Sequence, residues 1–302
     1  MTTEKKQWVV AYIYIAPFYI LFFIFGLFPL AGGIYLSFFR WDGVAPMRFE
    51  GLRNYINLLK DPLFGKALGN TLFIGIVSHI TILLIGLALA YILNSRQVRF
   101  KDAFKTVFFL PMVTGIVAIT IIFQNFFGYN FGFFNVPLKL LGFEPLNWLG
   151  GDGSLIKVAV LVLFSWKWIG WNVVMYLAGM QGISTDIYEA ATIDGAGHFR
   201  IFARITVPLL KPIILFTLIQ HSIGTLSIFT EPFILTNSNW AGGPNNGGLT
   251  LMIYLLNKAP QGGVLFGYAS ACAYVITVLI ILYSLVITKL VADKDQAGNE
   301  AV

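Results

Sequence analysis

The chain has 302 residues, of which 57% are hydrophobic and only 11% charged, and its formal net charge is +6. A soluble domain of average composition is about 25% charged, so this composition excludes an ordinary soluble protein and points to an all-α polytopic membrane protein. The positive balance is read as loop topology rather than as a nucleic-acid footprint, and the single cysteine, Cys272, excludes an intrachain disulfide and a two-thiol metal site.

A spanning helix needs about 20 apolar residues, and six stretches qualify: 9–36, 70–93, 104–127, 155–180, 211–235 and 268–290. The start MTTEKKQW is short and basic, and the apolar run after it outlasts a signal-peptide core with no A-x-A site, so the first stretch is expected to remain as a helix. It contains Pro17 and Pro29, and proline is ordinary in membrane helices. One transmembrane domain over 1–302 is expected. Placing the N-terminus inside puts Lys5, Lys6, Arg96, Arg99, Lys101, Lys105, Arg200, Arg204, Lys211, Lys289 and Lys294 in the cytoplasm. It puts Arg40, Arg48, Arg53, Lys60, Lys66, Lys139 and Lys258 outside, and an even number of spans returns the C-terminus to the cytoplasm.

The first outer loop, 49–71, has Leu52, Ile56, Leu59 and Leu63 at helical spacing beside Arg53, Asn57 and Lys60, which predicts a short amphipathic surface helix. Helix three opens with Phe108-Phe109-Leu110-Pro111, and Gln124 and Asn125 near its outer end are expected to bond neighbouring backbone. In helix four, Phe164, Lys167, Trp168 and Trp171 fall at i, i+3, i+4 and i+7 and share a face, with Asn172 adjacent. A lysine in a spanning helix is costly and marks a functional site, and aromatic rings beside hydrogen-bonding groups suit a sugar, whose C–H faces stack while its hydroxyls find partners. The plainer alternatives are an interfacial tryptophan belt and a structural pairing of Lys167 with Glu231.

The stretch 181–210 is the longest run rich in charge and small residues between two apolar segments. It reads as two short helices. Asp186 and Glu189 sit early in the first, where unpaired N–H groups favour negative charge, and Gly195 and Gly197 separate it from the second. The second, about 199–207, puts Arg200 and Arg204 on one side and Ile201, Phe202 and Ile205 on the other. Glu189-Ala190-Ala191, Asp194-Gly195-Ala196 and Pro208, at this spacing, resemble the EAA loop of ABC-importer permeases. Helix five holds Gln220, His221 and Thr225 as candidate cavity-lining groups, with Ser222 and Ser227 as helix–helix glue. The outer loop 236–267 carries Gly242-Gly243-Pro244, whose glycines allow tight backbone turns, the plainer alternative being a flexible connector. That loop, together with Phe49, Gly51-Leu52, Asn54-Tyr55 and Phe266 to Ala271, is similar to the carbohydrate-uptake permeases of the maltose and glycerol-phosphate type.

The resemblance implies a sugar-import permease whose Glu189 loop is the cytoplasmic coupling helix. It also implies a second related permease, two ATPase subunits that use ATP and Mg, an extracytoplasmic sugar-binding protein, and a bacterial or archaeal cytoplasmic membrane. The residues agree in part: there is no G-x-x-x-x-G-K-[ST], so ATP is not bound in that way here, and no cofactor is expected on this chain. His79, His198 and His221 show no metal-ligand spacing, and no nucleophile–base set is visible, so an enzyme is not expected. Two alternatives stay open on the residues: an ion-coupled transporter using Lys167, His221 and Glu231 as a relay, and an ABC permease for a non-sugar solute such as a phosphate ester.

Overall fold

The computed structural model describes residues 3–95, 97–258 and 266–292. Arg96 and Lys294, assigned inside from charge, lie outside the described residues, as does 259–265 of the last outer loop. The chain divides into two compact units, Met1–Asp61 with Leu255–Thr277, and Pro62–Tyr254 with Val278–Val302.

In the first unit, α1 (Thr3–Phe22), a π-helical turn (Phe23–Leu27) and α2 (Phe28–Ser37) run on as one apolar segment, Val10–Ser37. Pro17 is carried inside α1, while Pro29 opens α2, where its missing N–H costs no helical bond. The segment is exposed along its length, as expected of a surface that meets lipid or another subunit. A short antiparallel hairpin follows, β1 (Phe39–Arg40) with β2 (Arg48–Phe49), Phe39 opposite Phe49. In its turn Asp42 accepts the N–H groups of Val44 and Ala45 at 3.0 and 2.7 Å, which hold its carboxyl below the usual carboxylate range.

The amphipathic helix of the first outer loop is present as α3 (Arg53–Lys60). Its inward face is Asn54 and Leu58, both buried; of the predicted apolar stripe, Leu52, Ile56 and Leu59 are turned outward, and Leu63 belongs to the next helix, Pro62–Asn94.

The second unit is built on α4 (Pro62–Asn94), which begins eight residues before the predicted span at 70 because Leu63-Phe64 and Ala67 extend its apolar face. The predicted third span is two helices, α5 (Lys101–Val113) and α6 (Ile116–Phe126), bent by 97° at Thr114-Gly115. Pro111 and Gly115 flank that bend, so the backbone turns where a helical N–H is missing and a side chain is absent. A 3-10 turn (Phe133–Asn135) and α7 (Val136–Leu140) form part of the next outer loop, closed by Asn135, which bonds the carbonyls of Gly128, Tyr129 and Leu146. Next come α8 (Ile156–Gln181), α9 (Thr185–Ile193), α10 (His198–Ile201), a π-helical turn (Phe202–Thr206) and α11 (Val207–Leu209). The predicted span 211–235 is α12 (Lys211–Leu226) and a separate short α13 (Thr230–Leu235). After the 3-10 turn Pro244–Asn246, α14 (Leu251–Lys258) and α15 (Phe266–Ala292) each pass from one unit to the other.

Among the described residues, four helices are long and apolar enough to cross a membrane, or six segments if each bent pair is one span. Two apolar clusters hold the second unit. Ile74, Ile119, Phe123, Val160, Leu163 and Leu235 centre the first, and Leu87, Val173, Tyr176, Leu177, Leu210 and Leu218 the second. Lipid is as apolar as these side chains, so close fit rather than escape from water stabilises such contacts.

Candidate functional site

The stretch 181–210 is built by local rules. Ser184 caps α9 by accepting the N–H of Asp186, and Asp186 lies in the first turn. Glu189 is one turn further in, so it does not serve the helix dipole. At the other end Ala196 N–H bonds Ala191 O at 2.9 Å and Gly195 N–H bonds Thr192 O at 3.0 Å, with Gly195 at φ +75. That paired arrangement is the Schellman stop, which needs a left-handed residue. Gly197 has φ −70 and works as the N-cap of α10, so only Gly195 requires glycine's freedom.

The outcome is a protruding knob. Glu189, Ala190 and Asp194 are exposed and Ala191 is packed inward. Ile193 is 86% exposed and Phe199 82% exposed on either side of the Gly195 turn. Both are large apolar side chains left in the open, and sequence reasoning passed over both residues. The base of the knob is tied to the spanning helices. Tyr91 of α4 donates to His198 O at 3.0 Å and packs on Phe202 with ring centroids 4.8 Å apart. Tyr188 and Thr206 hydroxyls are 3.4 Å apart. A pocket of about 900 Å³ opens beside α9, lined by Tyr91, Ser95, Met180, Ile183, Tyr188 and Glu189. Pro208 lies in the first turn of α11 and is exposed, just before a 68° bend at Leu210 into α12.

The second group of predicted residues lies where α8, α12 and α4 meet. Phe164 is buried, and Lys167, Trp168 and Trp171 are half-buried. Trp168 packs against Phe164 at 5.9 Å and His221 at 4.9 Å between ring centroids. Buried Asn172 donates from Nδ2 to His221 Nε2 at 2.9 Å and to the Trp168 carbonyl at 2.9 Å. An amide nitrogen that donates to His221 Nε2 makes that nitrogen the acceptor and places the imidazole proton on Nδ1. Thr225 is buried and returns its hydroxyl to the His221 carbonyl at 2.8 Å, whereas Gln220 is exposed on another side of α12. Trp171 turns toward Phe109, at 6.1 Å, rather than toward His221.

Sequence reasoning missed His79 of α4 as a site residue. Its ring centroid is 5.7 Å from that of His221. Its Nδ1 bonds Gly75 O at 2.6 Å and its Nε2 lies 3.2 Å from Leu218 O and 3.4 Å from Ser222 Oγ. Tyr283 of α15 approaches Nδ1 at 3.5 Å. A lone histidine in an apolar run carries no periodic signal, and its partner is 142 residues away in the chain. Three buried side-chain atoms on α8, Ser165 Oγ, Trp171 Nε1 and Asn172 Oδ1, have no hydrogen-bond partner among the described residues. Buried polar atoms are almost always paired, so α8 has unused hydrogen-bonding capacity at this level.

The Gly242-Gly243-Pro244 loop makes tight turns that pack against their neighbours. Gly242 and Gly243 have φ +73 and +79. A Cβ on Gly242 would lie 2.5 Å from Leu249 Cα, and one on Gly247 would lie 2.7 Å from the Gly153 carbonyl carbon, so two glycine-rich loops interlock backbone to backbone. Buried Asn70 bonds Asn246 O at 2.9 Å and Leu249 O at 3.0 Å, pinning the loop to the start of α4. Asn245 bonds the Asp152 carbonyl at 3.1 Å, and the Ser154 N–H and hydroxyl hold the Asp152 carboxyl below the usual range. Asn70→Ala leaves two carbonyls unpaired and is expected to destabilise this corner by about 1–3 kcal/mol, read as faster amide exchange at Asn246 and Leu249. Gln124 and Asn125 bond carbonyls as expected, Ile234 O at 3.2 Å and Ile121 O at 2.9 Å.

The family model described as "binding-protein-dependent transport system inner membrane component" matches residues 82–294. The chain belongs to that family. It is a permease subunit, not an enzyme, and it spans the membrane more than once. The lactose transport system permease protein LacF of Rhizobium radiobacter is 37% identical, covering 90% of this chain and 91% of that protein. The arabinooligosaccharides transport system permease protein AraP of Bacillus subtilis is also 37% identical, covering 92% and 87%. Among solved structures, a chain of a bacterial ABC transporter that imports alginate shares the fold with a TM-score of 0.77 at 23% identity, covering 95% of this chain and 96% of that one. Membership in a binding-protein-dependent family sets aside the ion-coupled relay.

Proposed function

We propose that this permease forms half of the translocation pathway of an ATP-driven importer for a sugar or oligosaccharide. It spans a bacterial or archaeal cytoplasmic membrane six times as a single domain with both termini inside. Its partners are a second related permease, two ATPase subunits that use ATP and Mg, and a sugar-binding protein on the outer side. The observation that carries the reading is the knob at 184–199: Glu189 and Ala190 stand exposed, flanked by Ile193 and Phe199, at the end of the helices they must move. Sugar as the cargo is supported by relatives named for lactose and arabinooligosaccharide transport.

The mechanism follows from connections on this chain. ATP binding draws the two ATPase subunits together, and the knob moves with the subunit that holds it. Tyr91, Phe202 and Tyr188 pass that displacement to α4 and to the start of α12, which repack as rigid bodies. The Trp168, Asn172 and His221 cluster lies between α8 and α12, where such a movement changes which polar groups face the pathway. Phe164, Lys167, Trp171, Gln220 and Thr225 are the further pathway candidates, and Gly242-Gly243-Pro244 the outer-loop candidates.

Purification from native membranes in mild detergent tests the assignment. Recovery of an ATPase and a second permease with its own Glu-Ala-Ala loop is the expected result, and recovery of this chain alone after crosslinking refutes it. Within the assembled importer, Trp168→Ala and His221→Ala are expected to change sugar selectivity or rate with assembly intact. Unchanged uptake across several sugars would make both residues structural.

A further inference from the structure

Three features of the first unit converge on α3. The first is its depth. Asn54 donates to the carbonyls of Ser37 at 2.9 Å and Phe39 at 3.0 Å, and Tyr55 donates to Ser37 Oγ at 2.7 Å. Ser37 is the last residue of the apolar segment Val10–Ser37, so α3 is fastened to the end of that segment. Tyr35, Phe39 and Phe49 cluster there, with Tyr35 and Phe39 rings 4.5 Å apart and Phe39 and Phe49 5.3 Å apart, and Trp41 in the adjoining turn packs on Phe266 at 5.5 Å. Tyrosine and tryptophan gather at the membrane–water boundary.

The second feature is the face that α3 leaves open. Leu52, Ile56 and Leu59 are 62%, 50% and 70% exposed, while Leu58 and Asn54 on the opposite side are buried. At about 100° per residue the three open residues fall within roughly 60° of one another on the helix surface. The third feature is charge. Arg53 and Lys60 flank that arc on its polar side, and Arg48 precedes it. All three are exposed, and among the described residues none of them makes an ion pair. The acidic neighbours Glu50 and Asp61 are engaged by Arg40 at 4.0 Å and Lys258 at 3.8 Å.

We propose that α3 is an interfacial anchor lying flat in the headgroup layer, with Leu52, Ile56 and Leu59 in the acyl boundary and Arg53 and Lys60 on anionic lipid phosphates. A soluble partner surface would not require the apolar arc to sit at the level of the span's last residue, and the uncompensated cations match phosphate rather than a neutral sugar. The anchor fixes the height and tilt of the first span, together with Tyr274, whose hydroxyl bonds the Leu30 carbonyl. The inference rests on the chain's membership of a membrane-spanning family and is independent of the solute carried.

Single cysteines at Leu59→Cys and Asn57→Cys, labelled with an environment-sensitive fluorophore, test it in the assembled importer. Cys272 is fully buried, and the parent chain reports any labelling there. The complex is placed in nanodiscs of phosphatidylcholine and phosphatidylglycerol. The label at 59 is expected to report a depth of about 5–10 Å below the phosphates, with blue-shifted emission and protection from iodide, while the label at 57 is quenched by iodide. Arg53→Gln with Lys60→Gln, or discs of phosphatidylcholine alone, are expected to move the label at 59 outward. Equal iodide quenching at 57 and 59 would overturn the proposal. So would protection at 59 that arises only when the sugar-binding protein is added, or a depth indifferent to both charge changes.

Discussion

Glu189→Lys is expected to abolish ATP-driven uptake while leaving insertion and pairing with the second permease intact. Glu189 is exposed and makes no ion pair among the described residues, so reversing its charge disturbs nothing inside this chain. Its effect falls on whatever the knob meets. Placing like charges against each other at an interface costs several kcal/mol, and a cost of about 3 kcal/mol weakens docking roughly a hundredfold. Substitutions at Gly195 should grade the same loss through the backbone. Open space surrounds a Cβ built there, so the penalty comes from φ +75 alone. Asp, which tolerates left-handed geometry, should cost about 1 kcal/mol, and Val more. Uptake in proteoliposomes, with ATPase stimulation by the loaded binding protein, separates the outcomes. Normal uptake in both Glu189→Lys and Gly195→Val would refute the coupling role.

The knob was legible because each of its parts is local. A serine cap, an acidic first turn and a glycine stop are short-range rules, and the helix follows them. The apolar spans were legible too, through length and composition. Their breaks were not. Residues 104–127 are apolar on both sides of the 97° bend, so no change of hydropathy marks it, and Pro111 and Gly115 are ordinary in a membrane helix. The end of α12 at Leu226 is hidden in the same way by Ile228 and Phe229. Periodicity found α3 but not its inward face, because Leu58 and Asn54 are buried through contacts such as those of Asn54 with residues 15 to 17 positions earlier, beyond the reach of a helical repeat. The His79–His221 pair has no local signature. The interlocked loops needed Gly153 and Gly247 to be brought together across the fold.

Gly170→Ala is expected to be the most damaging conservative change in the spanning region. α8 and α5 meet at Gly170, where a Cβ would overlap the Phe108 carbonyl oxygen and lie 2.5 Å from its carbonyl carbon. The obstacle is backbone, so no rotamer change relieves it and the two helices must separate. Small residues let membrane helices approach closely enough for dispersion to hold them, and forcing a methyl into such a contact costs about 1–3 kcal/mol or more. Separation at Gly170 also shifts Trp171, which packs on Phe109, and Asn172, which orients His221. Both thermal stability in detergent and uptake should therefore fall. Gly69→Ala supplies the contrast. Gly69 lies inside α4 with nothing within 4 Å of where an added methyl would sit, so alanine gains up to about 1 kcal/mol of helix propensity without a clash. Opposite shifts in melting temperature for the two variants are the expected result. Equal stability would mean that α5 and α8 do not pack as closely as their backbones indicate, and the path from α5 to the Asn172–His221 bond would have to be abandoned.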